Sequence, residues 1–156
     1  IDHVKMGVET ALSQSVGPLD IKLEDVGLFA QNFVFLDCQK TSSLSALHNL
    51  VVDFVNLQRV TEVASIGKEQ NLSGLSPEEI QNLEDYGYPF VKEQFRPHLT
   101  LGRVTGNTLP SLDRLQKLLG PTLVRLRNKS FNSSKLALYK IGIDGANVGV
   151  IEEFGI

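Results

Sequence analysis

The 156-residue chain has no tryptophan, one methionine and a single cysteine, Cys38. One cysteine cannot close an intrachain disulfide, which excludes the disulfide-stapled scaffolds and fits a reducing, cytoplasmic setting. No apolar run approaches the roughly 18 residues that a membrane span needs, and no secretory signal pattern opens the chain. A membrane partner is therefore not expected. Zinc-ligand spacing and glycine-rich phosphate loops are both missing, and Asp20, Glu24 and Asp25 lack the spacing of a calcium loop. Neither a metal nor a cofactor is expected. The first residue is Ile1 rather than methionine, so further native residues upstream are an expectation as well.

What remains is an ordinary globular balance, with 42% apolar and 21% charged residues. At this length folding buries roughly two-thirds of the unfolded surface, enough for one real core. Residues 1–156 are read as a single domain and a monomer. The net charge of −3 hides an asymmetry. Residues 1–90 carry 5 basic and 13 acidic side chains, whereas residues 91–156 carry 10 basic and 5 acidic. A positive half on an acidic protein points to a local anion site more than to broad nucleic-acid affinity.

The hydrophobic pattern predicts an α+β chain. Val4, Val8, Ala11, Leu12 and Val16 recur at helical spacing, and Gly17-Pro18 stops that helix. Leu19, Ile21 and Leu23 alternate as a half-buried strand, and the continuous apolar run 32–38 reads as a central one. A helix follows over 43–60 with an inner stripe of Leu44, Leu47, Val51, Phe54 and Val55, and then a polar loop over 63–75. Ser76-Pro77-Glu78-Glu79 is a capping box with proline at the first helical position, and that helix ends by Gly87. Next come a strand over 98–104, a helix over 110–119 stopped by Gly120-Pro121, and strands over 123–126, 135–143 and 148–154. The last two are joined at Asp144-Gly145, a hairpin turn signal. Helix, Gly-Pro, alternating strand and apolar strand thus occur twice, which predicts two related halves. In that repeat Phe35 and Tyr139 occupy matching positions, where they either pack in the core or stack on bases.

The chemistry sits in Phe95-Arg96-Pro97-His98-Leu99-Thr100-Leu101-Gly102-Arg103-Val104. Strand alternation puts His98 and Thr100 on one face and Leu99 and Leu101 on the other, the leucines being expected to anchor the strand to the core. A histidine moves a proton near neutral pH. A threonine two residues on donates a hydrogen bond to a phosphate oxygen, and Arg103 adds charge. His48 lies beside the apolar stripe of its helix and reads as a packing histidine. Cys38, with no motif around it, reads as a small buried hydrophobe.

This ten-residue stretch resembles the distal H-x-T-L motif, with its following arginine, of the two-histidine (2H) phosphoesterase superfamily and its 2′,5′ RNA ligase-like RNA cyclic phosphodiesterases. The preceding Gly87-Tyr88-Pro89 is similar to a segment of a relative found near phosphonate-degradation genes. The resemblance implies a two-lobed α+β fold with antiparallel sheets and flanking helices, each lobe giving one H-x-T/S strand to a shared cleft. It implies metal-independent hydrolysis of a 2′,3′-cyclic phosphate on an RNA end or nucleotide. In it, His98 acts as base, and Thr100 and Arg103 hold the phosphate; the stacking alternative for Phe35 and Tyr139 would make them substrate contacts. The second H-x-T/S is not in this sequence, since His3 is followed at that position by Lys5. Applying the repeat spacing puts it roughly five residues before Ile1, on a first strand that the chain lacks. Two alternatives stand beside this reading: a non-catalytic module that binds RNA or nucleotides, and a phosphodiesterase acting on a cyclic ribose phosphate in phosphonate metabolism.

Overall fold

The computed structural model describes residues 1–14, 17–29, 33–57, 74–104, 111–127, 129–141 and 147–156. The chain is α+β and divides into two compact units. Unit 1 comprises Ile1–Leu19, Ser42–Phe95 and Ser133–Ile156, and unit 2 comprises Asp20–Thr41 and Arg96–Asn132.

Unit 1 holds α1 (Asp2–Ser13), α2 (Ser42–Leu57) and α3 (Pro77–Tyr86). A 3₁₀ turn at Lys92–Gln94 follows, and near the C-terminus come two antiparallel strands, Lys135–Ile141 and Asn147–Gly155. The stripe of α1 buries Val8 and Ala11. Between them and α2 the backbones nearly touch, because a Cβ on Gly7 would lie 2.9 Å from the Phe54 carbonyl oxygen. Only glycine permits that approach. The capping box of α3 forms as expected: the Ser76 hydroxyl accepts from Glu79 N–H, and the Glu79 carboxylate accepts from Ser76 N–H. Gly87 closes the helix. Asn82 then ties the following segment down by donating to the carbonyls of Pro89 and Val91.

Unit 2 is a four-stranded sheet with one helix. Its strands are β1 (Leu19–Phe29), β2 (Phe33–Cys38), β3 (His98–Arg103) and β4 (Ser130–Ser133), in the order β3-β2-β1-β4. The unit-1 strands are accordingly β5 and β6. The apolar run of β2 is central, as its lack of alternation predicts. Val34, Leu36 and Cys38 form a core with Leu23 and Val26 of β1 and with Leu115 and Leu123 of α4 (Leu112–Leu126).

Helix α4 corrects two expectations. It runs straight through Gly120-Pro121, and residues 123–126 are its last turn rather than a strand. A proline inside a helix removes one hydrogen bond and costs about 3 kcal/mol. Against that, Leu115, Leu119, Leu123 and Leu126 keep one apolar stripe across the proline and pack on the sheet core. Each buried leucine contributes roughly 1.5–3 kcal/mol, so the stripe wins. Gly17-Pro18 does lie between α1 and β1. The internal repeat therefore fails in its second half, and the spacing argument for an upstream histidine loses its landmark. A short strand, β4, appears where the polar sequence Ser-Phe-Asn-Ser gives no alternation to read. The Asp144-Gly145 turn and the polar loop up to residue 73 lie outside the described residues.

Candidate active site

Strand β3 forms one edge of the unit-2 sheet, and all six of its residues are exposed. Leu99 and Leu101 are 46% and 51% exposed, so they do not anchor the strand in the core as expected. The core that α4 packs on is built from residues of β1 and β2. What fixes β3 is its pairing with β2.

That pairing decides the chemistry of the face. Asp37 pairs with His98, Phe35 with Thr100, Val34 with Gly102 and Phe33 with Arg103. The register shifts between Val34 and Phe35, leaving Leu101 as the extra residue of a bulge. In a regular strand His98 and Thr100 would share one face and Arg103 would point to the other. The extra residue reverses the phase after Thr100, because one inserted residue flips every later side chain. Directly paired residues lie on the same side of a sheet, and Phe33, Phe35 and Asp37 alternate onto one face of β2. His98, Thr100 and Arg103 therefore all stand on that face, opposite the one carrying Val34, Leu36 and Cys38 against α4. Plain alternation misses Arg103; Gly102 beside the bulge is the signal that could have revealed it.

His98 is held in a defined tautomer. Its Nδ1 lies 2.8 Å from the Arg96 carbonyl oxygen. A carbonyl only accepts, so Nδ1 carries the hydrogen, and in the neutral ring Nε2 is left as the acceptor. The ring also meets Phe35, with centroids 5.3 Å apart at 56°. Phe35 in turn packs against Gly27 on β1, where an added Cβ would fall 2.2 Å from a ring carbon. Gly27 is thus the floor under the aromatic that supports the histidine. Arg103 has its guanidinium carbon 5.4 Å from the centroid of Phe33, a cation–π contact that keeps the charge on the same face.

Three other basic residues of the positive C-terminal region form ion pairs within the two units. Arg127 pairs with Asp25 at 2.6 Å, Lys117 with Asp113 at 2.8 Å and Lys135 with Glu153 at 2.7 Å. Two grooves beside Arg127 are lined by residues of β1 and α4 together with Gln39, and include nothing from β3.

Tyr139 lies in unit 1 on β5 and is 45% exposed, whereas Phe35 is 7% exposed on the central strand of unit 2. The two matching positions of the repeat thus occupy unlike surroundings. Tyr139 neighbours Tyr88, whose hydroxyl is held above the usual phenol range first by burial and then by the charge of Tyr139. Tyr88 also meets Phe90 edge-on at 5.6 Å. His48 stacks on Phe95 with centroids 3.7 Å apart, and its Nε2 accepts from the Lys92 N–H at 3.2 Å. That is the packing role its place beside the stripe predicts. Cys38 is 7% exposed, and burial, followed by the charges of Asp37 and Glu24, pushes its thiol up. It has no character of a nucleophile.

Among the described residues, no group of three or more His, Cys, Asp or Glu could hold a metal ion, and no helix is long and apolar enough to cross a membrane. A family model described as a protein of unknown function, DUF1045, matches residues 7–147. The chain belongs to the DUF1045 family. The match spans the whole β3 motif and most of both units. No curated protein and no solved structure matches.

Proposed function

We propose that this DUF1045 protein is a metal-independent phosphodiesterase whose substrate is a 2′,3′-cyclic phosphate on an RNA end or nucleotide. The observation that carries the reading is the tautomer of His98 within its row of partners. Nε2 is free to take a proton from water while Thr100 and Arg103 stand on the same face to bind phosphate oxygens. Attack by water on phosphorus builds charge on those oxygens, and a fixed guanidinium and hydroxyl stabilise it. The ester oxygen that leaves needs a proton, which the 2H resemblance assigns to a second H-x-T/S histidine.

A narrower substrate, a cyclic ribose phosphate, gains weight from Gly87-Tyr88-Pro89, which resembles a segment of a relative found near phosphonate-degradation genes. A non-catalytic binding module gains weight from the single H-x-T/S motif in these 156 residues.

The test uses protein expressed from the complete gene, with uridine 2′,3′-cyclic phosphate as substrate. Turnover is expected to be insensitive to EDTA and to fall roughly 10²–10⁴-fold in His98→Ala, as loss of a general acid or base does. Binding without turnover by the wild type would replace the enzyme with the module. Equal turnover by a folded His98→Ala variant would remove His98 from the chemistry.

A further inference from the structure

The face that carries His98 also carries a carboxylate that the phosphodiester reading does not use. Asp37 is the direct cross-strand partner of His98. The Cys38 N–H donates to the Pro97 carbonyl at 2.9 Å, so Cys38 and Pro97 occupy a hydrogen-bonded position of the ladder. The next pair, Asp37 with His98, is then of the non-hydrogen-bonded kind, in which side chains stand closest. Asp37 is half-buried, and among the described residues its carboxylate takes no hydrogen bond and no ion pair.

The rows of the two strands place the charges in order. Arg103 stands with Phe33, Thr100 with Phe35, and His98 with Asp37. The face therefore runs from a cation through a hydroxyl and an imidazole to an anion over the five residues 33–37 of β2, roughly 13 Å. A phosphate bound at Thr100 and Arg103 fixes the direction of the rest of the substrate. Whatever extends past His98 meets a carboxylate about 7 Å, two residues of strand, from the phosphate.

We infer that Asp37 is a specificity-determining residue: it accepts a hydrogen bond from a hydroxyl on the far side of the sugar and rejects substrates that carry a second phosphate there. The inference rests on the phosphodiesterase reading and adds to it an orientation and a charge rule. An ionised carboxylate facing a phosphate dianion in place of that hydroxyl, at about 4–7 Å in a water-like dielectric, disfavours it by roughly ten- to thirtyfold.

The experiment compares kcat/KM for uridine 2′,3′-cyclic phosphate and for its 5′-phosphorylated form, with the full-length wild type and Asp37→Asn. The wild type is expected to favour the 5′-hydroxyl substrate by roughly tenfold or more. In Asp37→Asn the ratio is expected to collapse towards unity, through a lower KM for the 5′-phosphorylated substrate. In the wild type alone, the preference is expected to shrink as salt rises from about 0.01 M to 0.15 M and the Debye length shortens. This arm answers the question even where the variant fails to fold. A ratio that neither the substitution nor salt changes, with turnover intact, overturns the role of Asp37 and leaves the phosphodiesterase reading standing. Absence of turnover with both substrates overturns that reading, and this inference with it.

Discussion

The open faces of the two sheets differ in what they offer a ligand. In unit 2, β2 and β3 align an arginine, a threonine, a histidine and an aspartate along one side of the sheet. In unit 1, the exposed part of β5 and β6 carries the Lys135–Glu153 ion pair, Tyr139 at 45% exposure and Val150 at 54%. The first surface carries side chains of the kinds that can move protons and stabilise charge; the second has contact area and a self-neutralised pair. Yet both units are built around the same device, a glycine that lets another group come within contact distance. Gly7 admits the α2 backbone, and Gly27 admits the Phe35 ring. What distinguishes the units is that the ring over Gly27 continues to a histidine.

The sharpest way to break this contrast is to remove charge from each face in turn. Arg103→Ala is expected to lower kcat/KM roughly 10²–10³-fold, the usual cost of losing a group that stabilises transition-state charge. Tyr139→Ala is expected to change it only a few-fold. Steady-state kinetics on cyclic nucleotide checks both, and a larger loss at Tyr139 than at Arg103 would reverse the assignment of the two faces.

The paired glycines sharpen the comparison on stability. A methyl at either position meets atoms already in place, so Gly7→Ala and Gly27→Ala are each expected to cost about 1–3 kcal/mol in denaturant unfolding. Only Gly27→Ala should also reduce turnover, because the displaced Phe35 ring supports His98. Equal kinetic effects from the two variants would show that the route through Phe35 does not matter.

Pro121 tests why α4 continues where Gly120-Pro121 predicts a stop. Replacing it with alanine restores a helical N–H inside α4 but also loosens the unfolded chain, so a net gain of about 2 kcal/mol is expected. A loss of stability would mean that the proline shapes the helix to the sheet. The sequence rule that proline ends a helix is local, whereas the leucine stripe crossing Gly120-Pro121 is rewarded only when the sheet is present. The same reasoning separates the rest of what could be read in advance. The capping box at Ser76, the central run of β2 and the shared face of His98 and Thr100 are local patterns, and the structure has them. The bulge that turns Arg103, the exposure of Leu99 and Leu101 and the short strand β4 depend on which strand lies alongside. No periodicity within one segment encodes that.

The smallest effect concerns Cys38. Its thiol is held up by burial, so the folded protein keeps the proton that the unfolded chain loses near pH 8.5. The contribution is fully present below that pH and is lost as pH rises through the raised folded value. Unfolding free energy is thus expected to decline slightly above pH 8.5 in the wild type and less in Cys38→Ala. A thiol reagent should react slowly with the native protein at neutral pH and fast after unfolding. Rapid modification of the native protein would contradict the buried placement.

The central claim is that β3 delivers His98 with Nδ1 protonated and Nε2 open on the face shared with Thr100 and Arg103, where phosphate is proposed to bind. Nitrogen NMR of the histidine-labelled full-length protein tests it most directly, with His98 assigned by comparison with His98→Gln. The account predicts a directly bonded hydrogen on Nδ1 of neutral His98, and a shift of its Nε2 resonance when inorganic phosphate is added. A hydrogen on Nε2 in the neutral ring, or a His98 signal that phosphate leaves unmoved while others respond, would contradict it.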